Sequence, residues 1–349
     1  MFKEITIDQY LENGEKVPVI DVRSPKEFAI AHIPGAINIP LFDDNERAIV
    51  GITYKQEGQQ AAIEKGLNLV GPKMAGFVTA AKKILTDSDT MQLYMHCWRG
   101  GMRSKSMATL FNFAGIQTTV LKGGYKAYRR KVQASFLQNL QLIVVGGRTG
   151  SAKTAILHAL QQSGEQIIDL EKLANHKGSA FGHLGEAAQP GTEYFENLLF
   201  ETIQLLDHTK RIWIEDESHL IGTVFIPDPF WEQMRAATVM YCDFPVSERI
   251  NYLVNTYGNF DKDGVLDAVK RITKKLGGQH AKAALEAYEA GDLKKATETV
   301  LVYYDKTYDY GLSKRNASLI KQIKMDRINP EENAKVLREM VGELTIQTL

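Results

Sequence analysis

Short apolar runs rich in β-branched residues alternate with stretches of helical spacing over the first 135 residues. Val17 to Val22 is such a run, and Ser24-Pro25 then opens a helical stretch, which predicts strand, turn and helix. Ile33-Pro34-Gly35 breaks the chain before an extended Ala36 to Ile39. A helix over about Pro72 to Leu85, a strand over Met91 to Met95 and a helix from Arg103 to about Ala114 follow. A strand over Thr118 to Leu121 and a helix opened by Gly123-Gly124 complete the series. Such alternation predicts a parallel sheet wrapped by helices, with ligands beyond the carboxyl ends of the strands. The pattern then restarts with strands at Gln141 to Val145, Gln166 to Ile168 and Arg211 to Ile214, and a helical Ala155 to Leu160 after the first. From about Phe260 the spacing reads as several helices, including Ala281 to Ala290 and Glu332 to Val341. The expected fold class is α/β throughout: a parallel-sheet domain over residues 1–135, a second α/β domain over residues 136–260, and a helical C-terminal region over residues 261–349 with the expected role of a docking element or a lid.

The 349 residues exceed one ordinary domain and can bury two cores. Lysine plus arginine (42) equals aspartate plus glutamate (42), so a nucleic-acid partner would need a local basic patch. The two cysteines, Cys97 and Cys242, lie far apart without metal-ligand spacing, which argues against a disulfide framework or a zinc site and fits a reducing cytosol. The N-terminal MFKEITIDQYLENGEK is amphipathic and acidic, and no later run approaches a membrane span. A soluble, cytoplasmic protein without membrane association is expected.

Cys97 carries the first chemistry. It stands at the exit of the Met91 to Met95 strand in HCWRGGMRS. Trp98, Arg99, Gly100, Gly101 and Met102 form a loop that closes on Arg103. Backbone N–H groups of such a loop, the Arg103 guanidinium and the N-terminus of the next helix all favour an oxyanion, and equally a thiolate over a thiol. Cys97 and Arg103 are therefore the candidate catalytic pair, with the five intervening residues as the anion loop.

The segment Asp21-Val22-Arg23-Ser24-Pro25, with Glu27-Phe28, His32-Ile33-Pro34-Gly35-Ala36 and Asn38-Ile39-Pro40, resembles the opening signature of rhodanese domains. Cys97 falls at the sulfur-carrying position, and Leu121-Lys122-Gly123-Gly124 follows the next strand, so the resemblance covers residues 1–135. Sulfur-transferring rhodaneses have four residues between the cysteine and the arginine; this chain has five. The longer ring admits a larger anion and resembles the loops of cysteine phosphatases of the same fold, which makes a phosphorus-bearing substrate plausible. Phosphate-ester hydrolysis would also need a general acid for the leaving group, and no sequence feature supplies one.

The second domain opens with Gly146-Gly147-Arg148-Thr149-Gly150-Ser151-Ala152-Lys153-Thr154 between a strand and a helix, the pattern of an NTPase-like P-loop. Gly147, Arg148, Thr149, Gly150, Ser151, Lys153 and Thr154 are the candidate phosphate-binding residues. Lys153 would neutralise phosphates and Thr154 could hold Mg2+. Ala152 stands where a second glycine is usual; a positive φ there would cost on the order of 1 kcal/mol. Candidate magnesium or acidic partners are Asp169 and Glu171 after one strand and Glu215 or Asp216 after another. His96, His176 and His219 carry no sequence signal that makes any of them a proton donor.

The two halves together, with Asp169-Leu170-Glu171, Asn175-His176, Gly178-Ser179 and Phe181-Gly182 after the P-loop, resemble the bacterial tRNA 2-selenouridine synthase family over nearly the whole chain. The resemblance implies an enzyme that converts 2-thiouridine at the wobble position (34) of tRNA to 2-selenouridine through an S-geranyl-2-thiouridine intermediate. Its substrates would be geranyl diphosphate and selenophosphate, and an enzyme supplying selenophosphate becomes a candidate partner. Geranyl diphosphate is then expected at the P-loop, and selenophosphate at Cys97, which would carry selenium as a perselenide. Val224-Phe225-Ile226 with Phe230-Trp231 is a candidate lining for the geranyl chain. Lys126, Arg129 and Arg130, in a cluster with Lys122 and Lys131, are candidate tRNA contacts, as is a later group of Lys270, Arg271, Lys274 and Lys275. A cysteine phosphatase fused to an NTPase, and a non-catalytic nucleotide-regulated sulfur-binding module, remain as alternatives.

Overall fold

A computed structural model describes residues 2–13, 17–257 and 262–347. The chain forms two compact units, Met1–Ser135 and Phe136–Leu349.

The first unit is a five-stranded parallel sheet of β1 (Lys3–Ile5), β2 (Val19–Asp21), β3 (Ile37–Asn38), β4 (Gln92–His96) and β5 (Gln117–Leu121), in the order β1-β5-β4-β2-β3. The strand order reverses beside β4, the place where a parallel sheet opens a crevice for ligands. The β2 and β4 side chains are almost all buried, as in a sheet covered on both faces. Ser24 starts the helix Pro25–Ile30 with a capping box closed by Glu27, and Pro25 at the first helical position has the φ the helix needs. That helix holds Glu27 beside the Cys97 loop.

The second unit contains β6 (Leu142–Gly146), β7 (Gln166–Ile168), β8 (Ile212–Glu215), the hairpin pair β9 (Leu220–Ile221) and β10 (Val224–Phe225), β11 (Thr238–Asp243) and β12 (Ile320–Lys324). Its five-stranded parallel sheet runs β12-β11-β6-β8-β7, and the P-loop leaves central β6 at the switch point. The stretch from residue 261, expected to be helical, thus also supplies an edge strand. In β12 only Ile323 is buried, so IKQIK carries little of the apolar signal that marks an inner strand. The helix Pro330–Gln347 adds Ala334, Leu337 and Val341 to the same core as Ile156, Leu160 and Trp213. No helix among the described residues is long and apolar enough to cross a membrane.

Candidate active sites

Cys97 follows β4, with its thiol enclosed by the loop it begins. The Gly101 N–H donates to Sγ at 3.3 Å and the Ser104 hydroxyl at 3.4 Å. Burial alone would push the thiol up; the Ser104 hydrogen bonds and the Arg103 charge outweigh it and hold Cys97 below its ordinary value. The helix Met102–Phe113 starts at this loop and adds the positive end of its dipole. Arg103 lies inside the site, but its fork is held by Glu27, with Nη1 at 2.7 Å and Nη2 at 3.3 Å. Trp98 and Met102 are exposed at the rim. Beneath the loop, Asp21 forms a buried ion pair with Arg23 at 2.6 Å, and Arg23 lies 3.9 Å over Tyr125. His96 is fully buried there, 3.8 Å from Asp21, and burial keeps it below the usual histidine range, in the neutral form.

The loop rests on the turn after β5. The Tyr125 and Lys126 amides, in the first turn of the helix Gly124–Ser135, donate to the Cys97 and Trp98 carbonyls at 2.9 Å each. Gly100 makes this approach possible: φ is +61°, and a Cβ there would lie 2.5 Å from the Leu121 carbonyl oxygen. Gly100→Ala is therefore expected to destabilise the first unit by roughly 2–4 kcal/mol, combining left-handed strain with overpacking. Gly101→Ala meets open space at ordinary φ, so its thermal unfolding should match the wild type within about 1 kcal/mol. Equal unfolding temperatures for the two variants would contradict the packing described.

In the second unit, Thr149 to Thr154 wrap one end of a cavity of about 470 Å³, a volume in the small-ligand range. Ala152 sits at φ +55°, ψ +31°, the left-handed conformation foreseen as costing on the order of 1 kcal/mol. Lys153 Nζ donates to the Gly147 carbonyl at 3.3 Å, and the Thr154 hydroxyl to Glu171 Oε2 at 2.7 Å. Two expected phosphate contacts are engaged elsewhere. The Gly147 N–H donates to the Tyr308 hydroxyl at 2.8 Å, and Arg148 forms a two-pronged pair with Asp309 at 2.9 Å. Buried Arg249 braces the loop through the Thr149 carbonyl and Asp305. Asp305, Tyr308 and Asp309 all belong to the helix Leu293–Ser313, which so clasps the P-loop from the C-terminal side.

The acidic group differs from the sequence expectation. Asp216 does not line the cavity: it takes hydrogen bonds from Arg315 at 2.6 Å and Tyr308 at 2.8 Å. Asp169 caps the helix Leu170–Ala174 through the Lys172 amide at 2.8 Å and holds His158 Nε2 at 2.6 Å, so both oxygens are committed. Asp169 lines the cavity together with Glu171 and with Glu217, which was not among the sequence candidates. Glu215 lies behind them, with Oε1 taking the Glu171 amide at 3.0 Å and Oε2 buried without a partner. Burial, then the charges of neighbouring carboxylates, pushes Glu215 and Glu217 well above the carboxylate range; burial likewise pushes Glu171 up. A cation would relieve this repulsion. No three His, Cys, Asp or Glu side chains among the described residues form a closed metal cage. Magnesium asks for less, one or two carboxylates completed by water and phosphate oxygens, and Thr154, Glu171 and Glu217 fit that demand.

Opposite this charged end the lining is largely apolar, with Leu253 and Val254 of the helix Val246–Tyr257 and residues of three further C-terminal helices, Lys262–Leu276, Gly278–Glu289 and Leu293–Ser313. These three supply Val269, Ala284, Leu293, Ala296, Val300 and Leu301. The suggested lining at residues 224–231 does not contribute: Val224, Ile226 and Phe230 are core, and Phe225 is exposed on the β9–β10 hairpin. His219 stacks on Trp231 there, outside the cavity.

A family model described as the tRNA 2-selenouridine synthase AAA domain matches residues 140–336, and a rhodanese-like domain model matches residues 6–131. A tRNA 2-selenouridine synthase of Sulfurovum sp. (strain NBC37-1) is 34% identical over 357 residues, covering 92% of this chain and 94% of its own. The chain belongs to the tRNA 2-selenouridine synthase family.

Other tRNA 2-selenouridine synthases agree. That of Hydrogenovibrio crunogenus (strain DSM 25203 / XCL-2) is 33% identical over 87% of this chain and 92% of its own. That of Bdellovibrio bacteriovorus (strain ATCC 15356 / DSM 50701 / NCIMB 9529 / HD100) is 39% identical over 73% and 68%. For this member of the family, the basic residues expected to meet tRNA fall on two helices. Arg130 is exposed and Lys126 and Arg129 are half-buried on Gly124–Ser135. Lys270, Arg271, Lys274 and Lys275 are exposed on Lys262–Leu276, opposite buried Val269, Ile272 and Leu276.

Proposed function

We propose that this chain is a tRNA-modifying enzyme that first geranylates the sulfur of 2-thiouridine at the wobble position (34), then replaces the S-geranyl group with selenium from selenophosphate. The cavity carries the reading: a phosphate cradle continuous with an apolar wall suits a diphosphate joined to a hydrocarbon chain. Lys153 and the loop amides would hold the departing diphosphate as charge develops on it. Thr154, Glu171 and Glu217 would hold magnesium, which when bound adds positive charge beside the diphosphate.

Geranylation prepares the second step. Sulfur on C2 leaves poorly as a bare anion, and alkylation lets it leave as a neutral thiol. Selenophosphate is assigned to the Cys97 loop, whose five-residue ring suits a phosphorus oxyanion. Two attacks by the thiolate balance. Attack on selenium makes the perselenide and leaves the P–Se electron pair on phosphorus, releasing phosphite. Attack on phosphorus forms an S–P bond and releases selenide, which is a stable anion and needs no general acid; water then frees phosphate. The second route unites the rhodanese position of Cys97 with its phosphatase-like loop. Lys126, Arg129 and Arg130 are proposed to contact tRNA phosphates, which would make binding fall with salt. An enzyme supplying selenophosphate, and a cytoplasmic location with the tRNA, belong to the same reading.

The test is a two-step assay. The full chain is given an anticodon stem-loop RNA bearing 2-thiouridine with geranyl diphosphate and magnesium, then selenophosphate, and nucleoside masses are followed. S-geranyl-2-thiouridine followed by 2-selenouridine is expected. Neither product, with nucleoside triphosphate hydrolysis in their place, would overturn the reading.

A further inference from the structure

His158 is the one histidine among the described residues that lines the cavity, and nothing in the diphosphate site uses it. It lies on the helix Lys153–Gln162 that begins at the P-loop. Its Nε2 is 2.6 Å from Asp169 Oδ2, and Asp169 Oδ1 is fixed by the Lys172 amide. The Asp169 side chain is 9% exposed and that of His158 48% exposed, so a buried carboxylate holds a ring that reaches into the cavity. A carboxylate only accepts, so Nε2 carries a hydrogen, and in the neutral ring the lone pair is on Nδ1. Nδ1 has no hydrogen-bond partner among the described residues. A histidine held by a buried carboxylate on the wall of a substrate cavity is built to take a proton.

We propose that His158 is the general base of sulfur alkylation and that Asp169 is its positioning residue. The assignment rests on the geranyl-transfer reading above. Neutral 2-thiouridine carries hydrogen on N3, and its S-geranyl product does not. As sulfur attacks C1 of the geranyl group, the S–C1 bond forms and the C1–O bond to diphosphate breaks. The N3 proton passes to His158 Nδ1, and its bonding pair becomes the new C2–N3 double bond. Charge and atoms balance without a further reactant.

The charged groups sharing the cavity with His158 are Lys153 of the P-loop, Asp169, Glu171 and Lys172 of the next turn, Glu217 after β8, and the Lys177–Glu186 pair. Glu171 and Glu217 are themselves pushed upward by burial, so an acid limb in the rate is assigned by which variant removes it. In the full-length protein, His158→Gln should lower kcat for geranyl transfer by about 10²-fold or more, leave KM for geranyl diphosphate within about twofold, and abolish the His158 limb of the pH–rate profile. Imidazole should partly restore His158→Ala. Asp169→Asn should lower kcat with the same KM, by letting the ring adopt the other tautomer. A His158→Gln enzyme that melts like the wild type and keeps its acid limb and kcat would overturn the base assignment. So would parallel loss of kcat and geranyl diphosphate affinity, with no imidazole rescue, in both His158→Gln and His158→Asn. A wild type that forms no geranylated nucleoside would instead remove the geranyl-transfer reading, and this assignment with it.

Discussion

Lys153→Ala should lower geranyl transfer by about 10²- to 10³-fold, the effect of removing one preorganised positive donor from a charge-developing transition state. Lys153 is the loop cation proposed to meet the diphosphate, and its charge also pulls Glu171 and Glu217 downward against the effect of their burial. Its loss therefore acts twice. Both carboxyls lie above their ordinary values in the folded protein, and only their charged forms would hold magnesium. Activity should fall as pH drops through those raised values, and in Lys153→Ala the fall should begin at higher pH and be partly offset by more magnesium. Initial rates across pH and magnesium concentration test both parts. A variant with wild-type rates and an unchanged pH profile would show that diphosphate does not bind at the P-loop.

Cys97→Ser should abolish selenium incorporation, by at least about 10³-fold, since serine at neutral pH lacks the nucleophile that the loop stabilises. Geranylation should stay within about twofold of the wild type, because Cys97 and the P-loop lie in separate compact units. Loss of both steps in a folded variant would refute the division of labour. Phosphorus NMR then separates the two attacks. Phosphate formed from selenophosphate in a Cys97-dependent reaction places the thiolate on phosphorus; phosphite places it on selenium.

The two anchors were legible in the sequence because each is contiguous: a loop of nine residues holds Cys97, Arg103 and Ser104, and another holds Gly147 to Thr154. The groups that complete them come from distant segments and leave no local signal. Glu27 reaches Arg103 from 76 residues away, and Tyr308 reaches Gly147 across 161. The choice between Asp216 and Glu217 had a readable cue. Along extended chain, successive side chains point to opposite sides, so Glu215 and Glu217 share one side while Asp216 takes the other. The structure divides them in that way, with Asp216 turned to Arg315. The apolar wall was hidden for another reason. Ala284, Ala296 and Val300 read as ordinary inward faces of amphipathic helices, and only the placement of three helices beside the P-loop turns them into a lining.

With a prenyl diphosphate held as proposed, that wall would act as a ruler. The P-loop would grip what every prenyl diphosphate shares, so selection by chain length would fall to the helices, and above all to their smallest lining residues, Ala284 and Ala296. The two tasks can change separately, since a larger side chain at either alanine would shorten the accepted chain without touching the phosphate cradle.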